Sequence, residues 1–219
     1  MLPPQIRRLT MVQDLKLSNN PLHHFQLKQL PSMTALRVLH MRNTNRTLDN
    51  IPPSLDDLEN LAVDQAFMLL AADDIDFAEN NLPAVPEALF KLKNLRKLDI
   101  SGNKIETFTI PEGSWESLET LNVSGNEMKA LPDGLVRLVK LQRLYASDNK
   151  LTFEGIPKGI GKLVQLLVLH LTRNNLELVP EGITRCVRLQ RLRLNHNRLI
   201  TLPDGIHLLP DLKELDLTE

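Results

Sequence analysis

Six histidines and one cysteine are the side chains of this 219-residue chain that could hold a metal or attack a carbonyl. Their spacing argues against both. His23 and His24 are adjacent, but no second ligand pair lies near them. His40 and His170 fall at one phase of a recurring pattern, five units apart, about 24 Å at one strand spacing per unit and far beyond shared ligation. Cys186 lies between Ile183 and Leu189 and reads as a small buried hydrophobe. Gly155, Gly159 and Gly161 lack the following Lys-Ser/Thr that a phosphate-cradling loop needs. No catalytic residue, metal or cofactor is expected, and an enzymatic activity would need a domain fused outside these residues.

The chemistry on offer is charge. At the phases that point away from the core stand Arg143, Tyr145, His170, Arg173, Arg191, Arg193 and His196, a basic stretch with one aromatic, closed by Glu214 and Asp216. Earlier in the chain the same phases collect Asp74, Asp76, Glu79 and Asp99, a secondary acidic patch. Like charges on strands about 4.8 Å apart lie within a Debye length of about 8 Å, which is unfavourable unless something opposite docks. An acidic helix, as in a coiled coil, or an acidic loop would complement the basic half, with Arg and Tyr as anchors. The basic set is therefore the expected protein-docking surface.

What positions these residues is a repeat. The pattern L-x-x-L-x-L-x-x-N ends on Asn20, Thr44, Asn80, Asn103, Asn126, Asn149, Asn174 and Asn197. Four of the steps are 23 residues, 149 to 174 is 25, 20 to 44 is 24, and only 44 to 80, at 36, is out of line. A signature of this form at 20 to 29 residues is a leucine-rich repeat. The expected fold is α/β: a right-handed horseshoe solenoid with one short parallel strand per repeat and short helical or 3₁₀ segments on the convex side. Strands are predicted near 14–17, 38–41, 75–78, 97–100, 120–123, 143–146, 168–171, 191–194 and 214–217. Within one repeat, Leu144 and Ala146 should point inward and Arg143, Tyr145 and Ser147 outward. The asparagines should form a ladder, each amide serving backbone groups of its own turn and of the next repeat. Thr44 breaks that ladder. Pro132 suits the first position of a short turn that sets Leu135 and Leu138 against the core, and Pro86-Glu87, Pro180-Glu181 and Pro203-Asp204 repeat the device.

Composition agrees with one domain over 1–219, about nine repeats with the first and last truncated. Apolar residues make up 42% of the chain but aromatics only 4%, as an aliphatic ladder requires. A net charge of −1 gives no bulk reason to expect nucleic acid or an anionic membrane. One cysteine rules out the internal disulfides that cap extracellular arrays. The start, Met1-Leu2-Pro3-Pro4-Gln5, has no secretory pattern, and no apolar stretch is long enough to span a bilayer. An intracellular location is expected, and the sequons Asn45-Arg46-Thr47 and Asn122-Val123-Ser124 read as chance matches. Both ends lack capping repeats, so the chain reads as part of a longer protein. Removing Val63 to Asp73 would restore the register around the 36-residue step; this apolar insertion is either a docking loop or a gene-model scar.

The 23-residue form resembles the intracellular class of Ras-associated leucine-rich-repeat proteins. Residues at variable positions sharpen the likeness: Arg37-Val38-Leu39 with Met41; Leu151-Thr152-Phe153-Glu154-Gly155-Ile156-Pro157; Glu177-Leu178-Val179-Pro180 with Arg185-Cys186; and Asn197-Arg198-Leu199-Ile200-Thr201. On these the chain is similar to the amino-terminal array of the flightless-I family, from about Leu2 to Glu219. The resemblance implies a protein-interaction scaffold in actin cytoskeleton regulation and transcriptional co-regulation, in the cytoplasm and also the nucleus. It implies coiled-coil flightless-interacting proteins and a Ras-type small GTPase as partners. Actin would be reached only through gelsolin-like modules, which are absent from this chain. The alternative is a stand-alone Ras-suppressor-like signalling adaptor.

Overall fold

Alternation along the strand does what a two-residue period demands. Leu144 and Ala146 are fully buried, Arg143 is exposed and Tyr145 half-exposed. The computed structural model, which describes residues 4–21, 33, 35–46 and 72–219, repeats this arrangement in nine strands among those residues. They are β1 (Asp14–Lys16), β2 (Val38–His40), β3 (Asp74–Asp76), β4 (Lys97–Asp99), β5 (Thr120–Asn122), β6 (Arg143–Tyr145), β7 (Val168–His170), β8 (Arg191–Arg193) and β9 (Glu214–Asp216). All pair in parallel, each with the next, in one open sheet. The register never slips: Leu15, Leu39, Ile75, Leu98, Leu121, Leu144, Leu169, Leu192 and Leu215 stand in one line. The fold is a leucine-rich-repeat solenoid.

One contiguous apolar cluster fills it from Leu17 to Leu209. A column three residues ahead of each L-x-x-L pair runs Leu92, Trp115, Leu138, Leu163, Cys186 and Leu209, every member buried. Cys186 therefore occupies a leucine site. Its burial pushes the thiol up to about 11, so it is no nucleophile at neutral pH.

The convex side consists of 3₁₀ turns, including Glu87–Lys91, Leu135–Arg137, Lys158–Lys162, Glu181–Arg185 and Asp204–Leu208. In four of these five turns proline stands just outside the turn and not at its first position, where it is expected. Pro86, Pro157, Pro180 and Pro203 stand just ahead, and their carbonyls accept from Leu89, Ile160, Ile183 and Ile206. The i→i+3 bond needs a carbonyl, which proline keeps, and not the N–H it lacks. Two of these turns pack backbone to backbone. A Cβ on Gly161 would stand 2.5 Å from the Gly182 carbonyl oxygen, and one on Gly182 would stand 2.6 Å from that of Lys158.

The asparagine ladder is present, but it reaches backwards. Asn126 Nδ2 donates to Val123 and Ser124 of its own turn (3.0 and 3.4 Å) and to Ile100 of the preceding repeat (3.0 Å). Its Oδ1 accepts from Ile105 N, again of the preceding repeat (3.1 Å). Asn80, Asn103, Asn149, Asn174 and Asn197 do the same. Among the described residues, Asn20 bonds only its own turn. The Thr44 hydroxyl has a single proton to give, with Met41 O at 2.8 Å and Asn80 Oδ1 at 3.4 Å, where an amide would offer two and an acceptor besides.

Around the out-of-line step, Ala72 and Asp73 hold regular repeat positions. Ala72 is fully buried in the place of Leu95, and Asp73 O accepts from Arg96 and Lys97 as Gln13 O accepts from Arg37 and Val38. The rest of the insertion, Val63 to Ala71, lies outside the described residues, as do His23 and His24.

Candidate functional site

Two outward rows cross the concave face. The first reads Asp74, Lys97, Thr120, Arg143, Val168, Arg191, Glu214 from β3 to β9, and the second Asp76, Asp99, Asn122, Tyr145, His170, Arg193, Asp216. Glu79, Arg173 and His196 belong to neither. They follow the strands at φ values of 52° to 54°, in the left-handed corner that precedes each ladder asparagine. The strand ends after three residues, so these side chains line the loop edge beside the face rather than the face itself.

The acidic patch is largely answered within the fold. Asp74 lies 3.2 Å from His40 Nε2 and 3.5 Å from Lys97 Nζ. Glu79 pairs with Arg42 at 2.5 Å, which holds its carboxyl below the usual range. Asp99 accepts from Ser101 N and Oγ and from Asn122 Nδ2. Asp76 is half-buried, and that burial, reinforced by neighbouring Asp99, raises its pKa against the Ala78 N–H bond that lowers it. Asp74, Asp76 and Asp99 border a shallow concavity of about 230 Å³ that Tyr145 closes on one side.

The basic half is less balanced. Glu214 on β9 serves two arginines, Arg193 at 2.6 Å and Arg191 at 3.6 Å. Arg173 lies 3.6 Å from Asp148 along the loop edge. Arg143 is exposed and forms no ion pair among the described residues. Between them the rings of Tyr145 and His170 meet edge to face, centroids 5.0 Å apart at 79°. His170 Nε2 is buried without a hydrogen-bond partner. Buried polar atoms are rarely left so, and this one belongs to the strand between those of Arg143 and Arg191.

Burial, then Arg193, pull the His170 pKa below the ordinary imidazole value. The fold thus prefers the neutral ring, and the unfolded chain takes up the proton first. Stability is unaffected above the unfolded value of about 6.5 and declines as pH falls from there through the lower folded value. A proton NMR titration should place the His170 midpoint below the ordinary imidazole value, and Arg193→Gln should move it up; a midpoint that ignores Arg193 would refute the placement.

Sequence phase found these residues but not their pairing. It also passed over a row just ahead of the strands, where Arg37 meets Asp73 at 2.5 Å and Arg96 grips Glu119 with two nitrogens. The 23-residue offset between Arg96 and Glu119 was the available signal.

A family model described as Leucine Rich Repeat matches residues 94–115. The Protein flightless-1 homolog of Caenorhabditis elegans is 70% identical over 178 residues, 81% of this chain. The chain belongs to the leucine-rich-repeat family. Its array is of the flightless-1 type, and the mouse homologue, 48% identical over 39% of the chain, agrees. The chain spans 13% of the length of the nematode relative and 6% of the mouse one. Among solved structures, a leucine-rich-repeat protein of Leptospira interrogans superposes with a TM-score of 0.79 at 26% identity, over 99% of this chain and 57% of that one. The ectodomain of the Arabidopsis thaliana receptor kinase GASSHO1/SCHENGEN3 follows at 0.75 and 24%, over 100% of this chain and 25% of that one, a likeness of fold alone. No helix among the described residues of the flightless-1-type array is long and apolar enough to cross a membrane.

Proposed function

We propose that this chain is the protein-interaction scaffold of a flightless-1-like protein that regulates the actin cytoskeleton and co-regulates transcription, in the cytoplasm and the nucleus. Residues 1–219 act as one repeat domain that docks proteins and catalyses nothing. Actin is engaged by gelsolin-like modules outside these repeats. The partners are coiled-coil flightless-interacting proteins and a Ras-type small GTPase, held on Arg143, Tyr145, His170, Arg191 and Arg193, with Arg173 and His196 at the loop edge. One observation carries the reading: Arg191 and Arg193 share the single carboxylate of Glu214, while Arg143 in the same rows is exposed without an ion pair among the described residues, so the face holds more guanidinium than the fold answers.

Charge reversal of both Arg191 and Arg193 to glutamate should weaken binding of a flightless-interacting coiled coil at least about tenfold at low salt and flatten its salt dependence. Surface plasmon resonance on the folded double variant checks this. Binding as tight as that of the unmodified chain would overturn the site.

A further inference from the structure

The carboxylate of Glu214 lies on the docking face and not merely at its border. It touches Arg193 at 2.6 Å and Arg191 at 3.6 Å, while both arginines stay substantially exposed. Asp216, directly across from Arg193 in the register, is instead occupied by the Thr218 N–H and hydroxyl at 3.1 and 2.8 Å. One carboxylate therefore answers two guanidinium groups, and a third, on Arg143, has no counter-ion among the described residues. Building on the docking reading above, we propose that Glu214 stands where a partner carboxylate binds, so that the occupant of this face is an acidic helix that must compete with the chain's own side chain.

The spacing names the helix. Arg143 and Arg191 lie in one row, two strand steps apart with Val168 between them, hence about 10 Å. Acidic residues seven apart on an α-helix rise about 10.5 Å and share a face. One carboxylate would meet Arg143, the next would meet Arg191 and Arg193, and the stretch between them would lie over the Tyr145 and His170 rings. Glu214 then acts as a threshold. A single acidic residue gains little by replacing it, whereas two at the right separation gain Arg143 as well.

The test is fluorescence anisotropy at low salt on the full chain. The probe is a fluorescein-labelled, alanine-rich helical peptide with glutamates seven residues apart; controls carry glutamine there or glutamates four apart. Glu214→Gln should tighten the seven-spaced peptide about fivefold, the scale of one exposed ion pair, with unchanged circular dichroism. Arg143→Gln and Arg191→Gln should each weaken it, and the glutamine control should not bind. If Glu214→Gln binds no tighter while the arginine variants still weaken, the docking face stands and the competing carboxylate is refuted. If the arginine variants bind like the unmodified chain, the docking reading itself falls. A single-stranded DNA oligomer that binds tighter than the acidic helix would overturn the partner class.

Discussion

Trp115→Ala is expected to lower the stability of the array by about 3–5 kcal/mol, the range for emptying a buried aromatic site. Trp115 is fully buried in the column that leucines fill elsewhere, its indole N–H donates to Leu89 O at 2.6 Å, and its ring stacks on Phe90 at 4.9 Å and meets Phe108 edge-on at 6.3 Å. The substitution leaves a cavity, takes one of two donors from the Leu89 carbonyl and removes the ring that Phe90 and Phe108 both pack against. Alanine also inherits a backbone φ of 56°, so it gains nothing in return. Urea unfolding followed by circular dichroism measures the loss, and Trp115→Phe should fall between, keeping most of the volume but not the hydrogen bond. A midpoint for Trp115→Ala within error of the unmodified chain would refute the packing.

Asn126→Ala is the second large effect, at about 3 kcal/mol. It leaves the buried Ile105 N–H without its acceptor, and it takes one of two donors from the carbonyls of Ile100, Val123 and Ser124, which keep Asn103 Nδ2, Asn149 Nδ2 and Gly102 N. A buried polar group left unpaired costs about 1–3 kcal/mol, and the three shared carbonyl bonds lost with it put the total at the top of that range. Asn20→Ala supplies the internal contrast. Among the described residues its amide serves only Leu17 and Ser18, at an exposed turn, and the loss should stay under about 1 kcal/mol. Equal losses at the two positions would mean that the ladder does not couple repeats.

The L-x-x-L-x-L-x-x-N phase made the strands legible because a solenoid has one register and few ways to miss it. Eight of the nine strands lie within their predicted spans. The exception, β3, starts one residue early at Asp74, because Ala72 and Asp73 already hold the positions ahead of it. Trp115 was equally legible in principle, since Trp115, Leu118 and Leu121 keep the leucine spacing, yet its aromatic character hid the equivalence. Glu79, Arg173 and His196 were placed on the face because a period of two says nothing about where the chain leaves the pleat; the left-handed φ that ends it is open to Asn, Asp and Gly and here also to Glu, Arg and His. The pairing of charges lay beyond phase altogether. Arg193 has Asp216 directly across from it and still reaches diagonally to Glu214, a choice of rotamer that depends on Thr218 having taken Asp216 first.

The unbroken neighbour-to-neighbour register has a kinetic side. Each strand pairs only with the one before and the one after, and the ladder bonds of the regular repeats reach 21 to 28 residues along the chain. A typical separation of 23 in 219 residues is a relative contact order of about 0.1, a value usual for helical bundles rather than sheet proteins. Loop closure before each new pairing is therefore short and of nearly constant entropy, and folding can begin at any stable pair of repeats and spread outward. On a ribosome adding about 5–20 residues per second, a new repeat emerges every few seconds and finds its docking edge already formed. Growth in that order keeps the leucine rows covered as they appear, leaving one open edge at a time exposed to other nascent chains.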